Sequence, residues 1–260
     1  MTRGVFIVFA GINGSGKTSI INNIVDKMNN SNFNNNNNLI TINKKSDDII
    51  DDIDDIDCIN DDESFSKKMD IKLWNVFKFP NRTTVIGKKI DLFLKKKLVL
   101  NSKGVELKFF SDNRREFFSE MMFLLKSGYN IICDRYVYCS VAYTITNQSL
   151  DIINNKNINI LTMNEIIKYD INLIKPDHVF LINGDYINLR NETTELYHRD
   201  NVFNKLLFNN YLLTLMHTKT EFTIVENTFG ELDNICNKVL EKVRIIQEDP
   251  KFIFSGIKLF

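Results

Sequence analysis

Residues Gly11-Ile12-Asn13-Gly14-Ser15-Gly16-Lys17-Thr18 have the types and spacing of a phosphate cradle. Glycines let backbone N–H groups turn inward around an anion, and a helix starting at the loop adds its positive N-terminal end. In a GxxxxGK[ST] loop the lysine reaches the β- and γ-phosphates of ATP, and the hydroxyl ligates Mg²⁺. Those roles fall to Lys17 and Thr18, with Gly11, Asn13, Gly14, Ser15, Gly16 and Ser19 completing the ATP-binding set. The pattern is specific only between a strand and a helix. Gly4–Ala10 is a continuous β-branched and aromatic run, and Ile20, Ile21, Ile24, Val25 and Met28 recur at helical spacing. A glycine turn that merely joins strand to helix is the bland alternative, and the intact flanks count against it. The loop implies phosphoryl transfer but not the acceptor. No NKxD-like guanine-reading motif follows, which argues against a GTPase.

The elements that must position this loop read as alternating strands and helices. Lys72–Phe79, Asn130–Cys133, His178–Ile182 and Phe222–Val225 are further strands. Thr84–Leu98 and Val105–Lys126 read as helices, the latter ended by Gly128, and Leu232 to Val243 carries a last apolar stripe. Alternation of this kind implies a parallel sheet covered on both faces. Asp134 then stands at the C-terminal end of a strand beside the phosphate loop, where α/β ligands bind and where a carboxylate can hold Mg²⁺ or its water.

Between the first helix and the second strand the composition changes. Asn29–Lys68 contains an unbroken asparagine run, Asn34 to Asn38, then a ladder of acids from Asp47 to Glu63. The acids lack the glycine and terminal glutamate spacing of a calcium loop. A solvated low-complexity insertion at about residues 29–70, within one domain spanning 1–260, is the expectation. Of 260 residues 43% are hydrophobic, and 33 Lys and Arg balance 33 Asp and Glu. A zero balance gives no global attraction to nucleic acid or to an anionic membrane, so neither is expected as a partner. The N-terminal apolar run is too short for a signal peptide, and no stretch reaches the ~20 apolar residues of a membrane span. Four cysteines without CxxC pairing read as buried reduced thiols of a cytoplasmic protein. His178 and His217 sit in apolar contexts and read as structural.

Further motifs narrow the acceptor. Phe79-Pro80-Asn81-Arg82-Thr83-Thr84-Val85-Ile86-Gly87 resembles the FPxRxTxxG segment of thymidylate kinases, and Phe110-Ser111-Asp112-Asn113-Arg114 their FSANR segment. Asp134-Arg135-Tyr136 is similar to their DRY, followed by Val141-Ala142-Tyr143. Lys175-Pro176-Asp177 resembles their KPD, and Glu195-Leu196-Tyr197 falls where the lid carries E-x-Y. The order is that of the family, and the pattern is most similar to the eukaryotic and poxvirus-type branch.

The resemblance implies a nucleoside monophosphate kinase-like P-loop NTPase fold. That fold has a five-stranded parallel sheet, helices on both faces and a short lid. It implies Mg²⁺-dependent transfer of the ATP γ-phosphate to dTMP, and a homodimer. Arg82 and Arg135 match the arginines that grip the acceptor phosphate, for which a planar guanidinium fork is suited. Phe79 and Phe110 line the dTMP site, Phe110 at the stacking position and Arg114 within reach of a base carbonyl. Ser140 falls near the base, Tyr143 against the sugar 2′ carbon, and Tyr197 of the lid (Arg190–Asp200) at the acceptor sugar. Asp134 with Thr18 is the metal pair. Three departures stand out. Asn13 replaces a carboxylate that contacts the acceptor sugar. Gly14 replaces a basic residue that assists phosphoryl transfer, a charge then assigned to Arg190 or Arg199. Arg115 and Ser140 replace a Trp and a Gly near the base pocket. Another nucleotide or deoxynucleoside kinase on the same fold, a (deoxy)nucleoside monophosphate kinase or a broad-specificity deoxynucleotide kinase among them, is the nearest rival. A catalytically dead P-loop protein is opposed by the intact Lys17, Thr18, Asp134 and Arg135.

Overall fold

The computed structural model describes residues 3–32, 73–100, 102–156, 159–184, 201–228, 230–249 and 256–260. Five strands form one sheet: β1 (Phe6–Gly11), β2 (Trp74–Lys78), β3 (Asn130–Asp134), β4 (His178–Asn183) and β5 (Phe222–Glu226). All neighbours run parallel in the order β2-β3-β1-β4-β5, as the alternating pattern predicts. The order reverses at β1. Its carboxyl end therefore opens into the crevice where ligands bind in such sheets.

β1 is apolar on both faces because both are covered. Phe6, Val8 and Ala10 enter one core, with Leu107, Leu124, Val141, Phe203 and Leu207. Val5, Ile7 and Phe9 enter the other, with Ile20, Ile24, Ile235, Val239 and Val243. Fully burying each such side chain contributes ~1.5–3 kcal/mol. The second core is made by α1 (Lys17–Asn32) and α8 (Leu232–Glu248). The first is made by α3 (Lys103–Arg115), α4 (Phe118–Lys126), α5 (Val137–Ile153) and α7 (Asn201–His217). The short α2 (Val85–Leu94) and α6 (Met163–Ile167) flank the first layer.

Several expected boundaries shift. α1 continues to Asn32, into the stretch that composition assigns to the insertion; residues 33–70 lie outside the described residues. α2 stops at Leu94 and not Leu98, because Lys96 adopts a left-handed φ of 58° and the amides of Lys97 and Leu98 turn back to the Leu92 carbonyl. The single helix expected over Val105–Lys126 is two. Apolar spacing runs through the break because α3 and α4 pack on the same core. The interruption at Glu116–Phe117 lets the Phe117 ring meet Phe77 and Phe79 edge-on. His178 donates to or accepts from Thr223 at 2.9 Å at the start of β4, and His217 pairs with Asn164 on the surface, both away from the carboxyl ends of the strands. Cys133 and Cys236 are buried and unbridged. No helix among the described residues is long and apolar enough to cross a membrane.

Candidate active site

The phosphate loop leaves β1 at Gly11 and enters α1 at Lys17. Gly14 and Gly16 take φ of 81° and 85°, a region closed to most side chains, so the loop curls back on itself. A Cβ on Gly16 would also stand 2.2 Å from Asn227 Nδ2. That amide follows β5 and donates to the Ser15 carbonyl at 2.7 Å, bracing the loop from behind. Lys17 Nζ folds over the loop, donating to the Gly11 and Ile12 carbonyls and to Ser15 Oγ at 3.1, 2.5 and 3.2 Å. An ammonium held there sits where phosphate oxygens would replace those acceptors.

Asp134 lies beside the loop because β3 pairs with β1, with Phe9 opposite Asp134. Its side chain is only 5% exposed. Its Oδ2 accepts from Thr18 Oγ1 at 2.7 Å and lies 3.9 Å from Lys78 Nζ. Its Oδ1 is buried and has no hydrogen-bond partner among the described residues. A half-satisfied buried carboxylate is costly. Hard oxygens from a carboxylate and a hydroxyl suit Mg²⁺, which keeps several waters and uses few protein ligands. The donor set therefore fits that ion.

Arg135 has a left-handed φ of 73°. That turn carries its half-buried guanidinium back over the phosphate loop, where Nη2 donates to Asn13 Oδ1 at 2.5 Å. Asn13 thus touches a sequence-predicted phosphate arginine. Arg82 is on the exposed rim and pairs with Asp91 at 2.8 Å. Its loop is fixed by the two motif segments acting as one. Asn113 of the FSDNR run is buried, accepts from the Asn81 amide at 2.7 Å and donates to the Asn81 carbonyl and Thr84 Oγ1. Thr84 in turn caps α2 by accepting from the Gly87 amide. Gly87 is required because a Cβ there would overlap the Asn81 carbonyl oxygen at 1.7 Å.

These groups line one cleft of about 290 Å³. Asn13, Gly14, Gly16, Lys17, Thr18 and Ser19 line it together with Phe79, Phe110, Arg114, Ser140 and Tyr143 and with Arg82, Asp134 and Arg135. Burial pushes the Tyr143 phenol up to about 12 despite nearby Arg135, so the ring is a neutral wall at working pH. Arg114 is almost fully buried, is held by Asp170, and donates through Nη1 to Ser140 Oγ at 3.1 Å. Arg115 instead faces solvent and donates to the Tyr169 and Ile171 carbonyls, away from the cleft. Asp177 of the KPD run is structural: it pairs with Arg3 and accepts from the Phe6 amide. Arg190, Tyr197 and Arg199 lie outside the described residues. Sequence reasoning missed Lys78, whose only signal is its place at the end of β2. It also missed Asn227 and Asp170, which carry no motif.

Comparisons with known proteins identify a family. A family model described as thymidylate kinase matches residues 63–234. The chain is 26% identical over 251 residues to a thymidylate kinase of Plasmodium falciparum, covering 96% of this chain and 94% of that one. The fold is similar to the solved thymidylate kinase of Candida albicans, at 22% identity with a TM-score of 0.69 over 100% of this chain and 99% of that one. A second structural relative, from Ehrlichia chaffeensis, gives a TM-score of 0.57 at 17% identity over 93% and 99%. With two thirds of its length matched by the family model and the phosphate loop joined to the matched segments in one cleft, this chain belongs to the thymidylate kinase family.

Proposed function

We infer that the chain transfers the γ-phosphoryl group of ATP to the 5′-phosphate of dTMP, giving dTDP and ADP, with Mg²⁺ as the metal. The observation that carries this is the shared cleft, lined by the phosphate cradle, by the aromatic and guanidinium side chains Phe79, Phe110, Arg114 and Tyr143, and by Arg82 and Arg135. An acceptor-phosphate oxygen attacks the γ-phosphorus, the bridging bond to the β-phosphate breaks, and its electrons leave with ADP. The nucleophile is already anionic, so no general base is needed. What must be overcome is repulsion between two phosphates and their misalignment. Lys17 spreads the β- and γ-phosphate charge, and the loop amides hold these groups in line. Arg135, steadied by Asn13, and Arg82 receive the acceptor phosphate. Thr18 and Asp134 would hold Mg²⁺, which would supply charge neutralisation at the transferring phosphates. Phe110 stacks on the base, Arg114 donates to a base carbonyl, and neutral Tyr143 crowds the sugar 2′ position. The family resemblance supports a homodimer as the working assembly.

A coupled ADP-release assay with dTMP, dUMP, dGMP, UMP, AMP and thymidine as acceptors tests the reading. Turnover with dTMP and none with thymidine is expected, since the arginines need a phosphate. Turnover with another acceptor and none with dTMP overturns it.

A further inference from the structure

The guanidinium of Arg114 is gripped from one side. Its Nε and Nη2 donate to Asp170 Oδ1 at 3.0 and 2.8 Å, and Nη2 also to Oδ2 at 2.9 Å. The two side chains are 3% and 2% exposed. A side-on, charge-assisted pair in a low-dielectric wall fixes the plane and the roll of the guanidinium. The remaining nitrogen, Nη1, has one hydrogen for Ser140 Oγ and a second that Asp170 does not take, on a side chain that lines the cleft with Ser140.

Asp170 is itself held with unusual redundancy. It ends a 3₁₀ turn, Lys168–Asp170, that follows α6. The start of α6 is fixed by a capping box, Thr162 with Glu165. One face of α3 then staples the turn. Ser111 Oγ donates to the Tyr169 carbonyl at 2.5 Å, and Arg115 Nη2 donates to the Tyr169 and Ile171 carbonyls at 2.9 and 2.8 Å. Ser111, Arg114 and Arg115 are spaced i, i+3 and i+4, so one helical face grips three successive residues. Behind it the chain is tied to its own end, with the Asn172 amide donating to the Phe260 carbonyl and Ile174 bridged to Leu259.

Such over-determination is more than a buried ion pair needs for stability, since replacing a buried pair by apolar residues is often neutral. It is what a donor needs to meet a carbonyl repeatedly in one geometry. We propose that Asp170 is a positioning residue for acceptor-base selection, holding Arg114 so that its Nη1 edge and Ser140 read the carbonyl edge of the base. The proposal rests on the function inferred above and adds to it a residue 56 positions from Arg114 that does not line the cleft. A guanidinium edge can only donate, so it favours a base with a carbonyl at the 4-position over one with an amino group there.

The test is a set of steady-state measurements on the full chain with dTMP and dCMP. The variants are Asp170→Asn, Asp170→Glu, Arg114→Met and the pair Arg114→Met with Asp170→Leu. Asp170→Asn should raise KM for dTMP about tenfold or more, the scale of one charged hydrogen bond. kcat should stay within about threefold and KM for ATP unchanged. Selectivity for dTMP over dCMP should fall by a similar factor. The paired variant should be no worse than Arg114→Met alone, because Asp170 acts through Arg114. Removing one partner of a buried pair can unfold a chain, so Asp170→Glu, which keeps the charge but shifts the guanidinium, should move KM and selectivity the same way, less strongly. A wild-type enzyme that uses dTMP while Asp170→Asn or Asp170→Glu, folded, leaves KM and selectivity unchanged overturns the proposal alone. Multiplicative effects in the paired variant overturn it too. A wild-type chain with no dTMP turnover overturns the functional reading, and this proposal with it.

Discussion

Replacing Asp134 by Asn separates a metal-holding carboxylate from a structural one, because the two roles predict opposite signs. In the structure Oδ1 of Asp134 is buried with no hydrogen-bond partner among the described residues, and Oδ2 is satisfied by Thr18. A buried unsatisfied acceptor costs ~1–3 kcal/mol, more when charged. An amide keeps an acceptor for Thr18 and replaces the buried unpaired charge by a neutral NH2, which costs less to bury. The losses are the attraction of the neighbouring Arg135 guanidinium and the pairing with Lys78, the latter a 3.9 Å contact to a side chain that is 65% exposed, worth at most ~1 kcal/mol. The balance favours the variant by ~1 kcal/mol, which for a chain of this size is a rise of ~2–4 °C in Tm in the absence of nucleotide. Activity should move the other way. Weakening one of the few protein ligands should raise the Mg²⁺ concentration for half-maximal rate ~10–100-fold and lower kcat. Thermal melts without nucleotide and Mg²⁺ titrations at saturating ATP read the two effects. A Tm that drops by more than ~4 °C with an unchanged Mg²⁺ dependence would refute the reasoning and make Asp134 a structural residue.

Asn13→Asp converts the neutral acceptor of Arg135 into a charged one, strengthening that bond by ~1 kcal/mol; KM for dTMP should rise about fivefold at constant kcat, and unchanged kinetics would remove Asn13 from the acceptor site. Gly14 offers no side chain to the transferring group, so Arg190→Ala or Arg199→Ala should lower kcat ~10³-fold or more, and losses below tenfold at both would reject a lid arginine in that role. Burial holds the phenols of Tyr136, Tyr138, Tyr143 and Tyr211 above their ordinary range. A group whose folded pKa is raised contributes stability that is fully present below the unfolded value, about 10, and lost as pH climbs through that range. Chemical denaturation from pH 8 to 11.5 should therefore show stability falling above pH ~10, less steeply in Tyr138→Phe, and a flat profile would contradict it.

How much of this the sequence carried depended on whether a residue's partner was near it in the chain. The phosphate loop is local: strand, glycines, lysine and helix are contiguous, so composition and spacing sufficed. α8 was visible because one face is solvated and one buried. α5 and α7 were not, because they pack on one another within the core and apolar residues spread around both, blurring the helical period. The break between α3 and α4 was hidden for a related reason, since Phe117 turns inward as a helical residue would. The motif arginines were legible as cations but not as geometry. Arg135 takes a left-handed turn no propensity announces, and Asn13 is reached only by that turn. Arg114 is the sharpest case. Its motif named the residue, yet its aim is set by Asp170, and nothing near Asp170 differs from an ordinary surface acid. The one available signal was indirect. A strong helix start at Thr162-x-x-Glu165 leads within five residues to an acid in a turn. A buried arginine elsewhere in the chain requires a carboxylate to face it, because an uncompensated guanidinium in a core costs several kcal/mol. The requirement follows from chemistry, but the position that answers it was visible only after the fold had brought the two together.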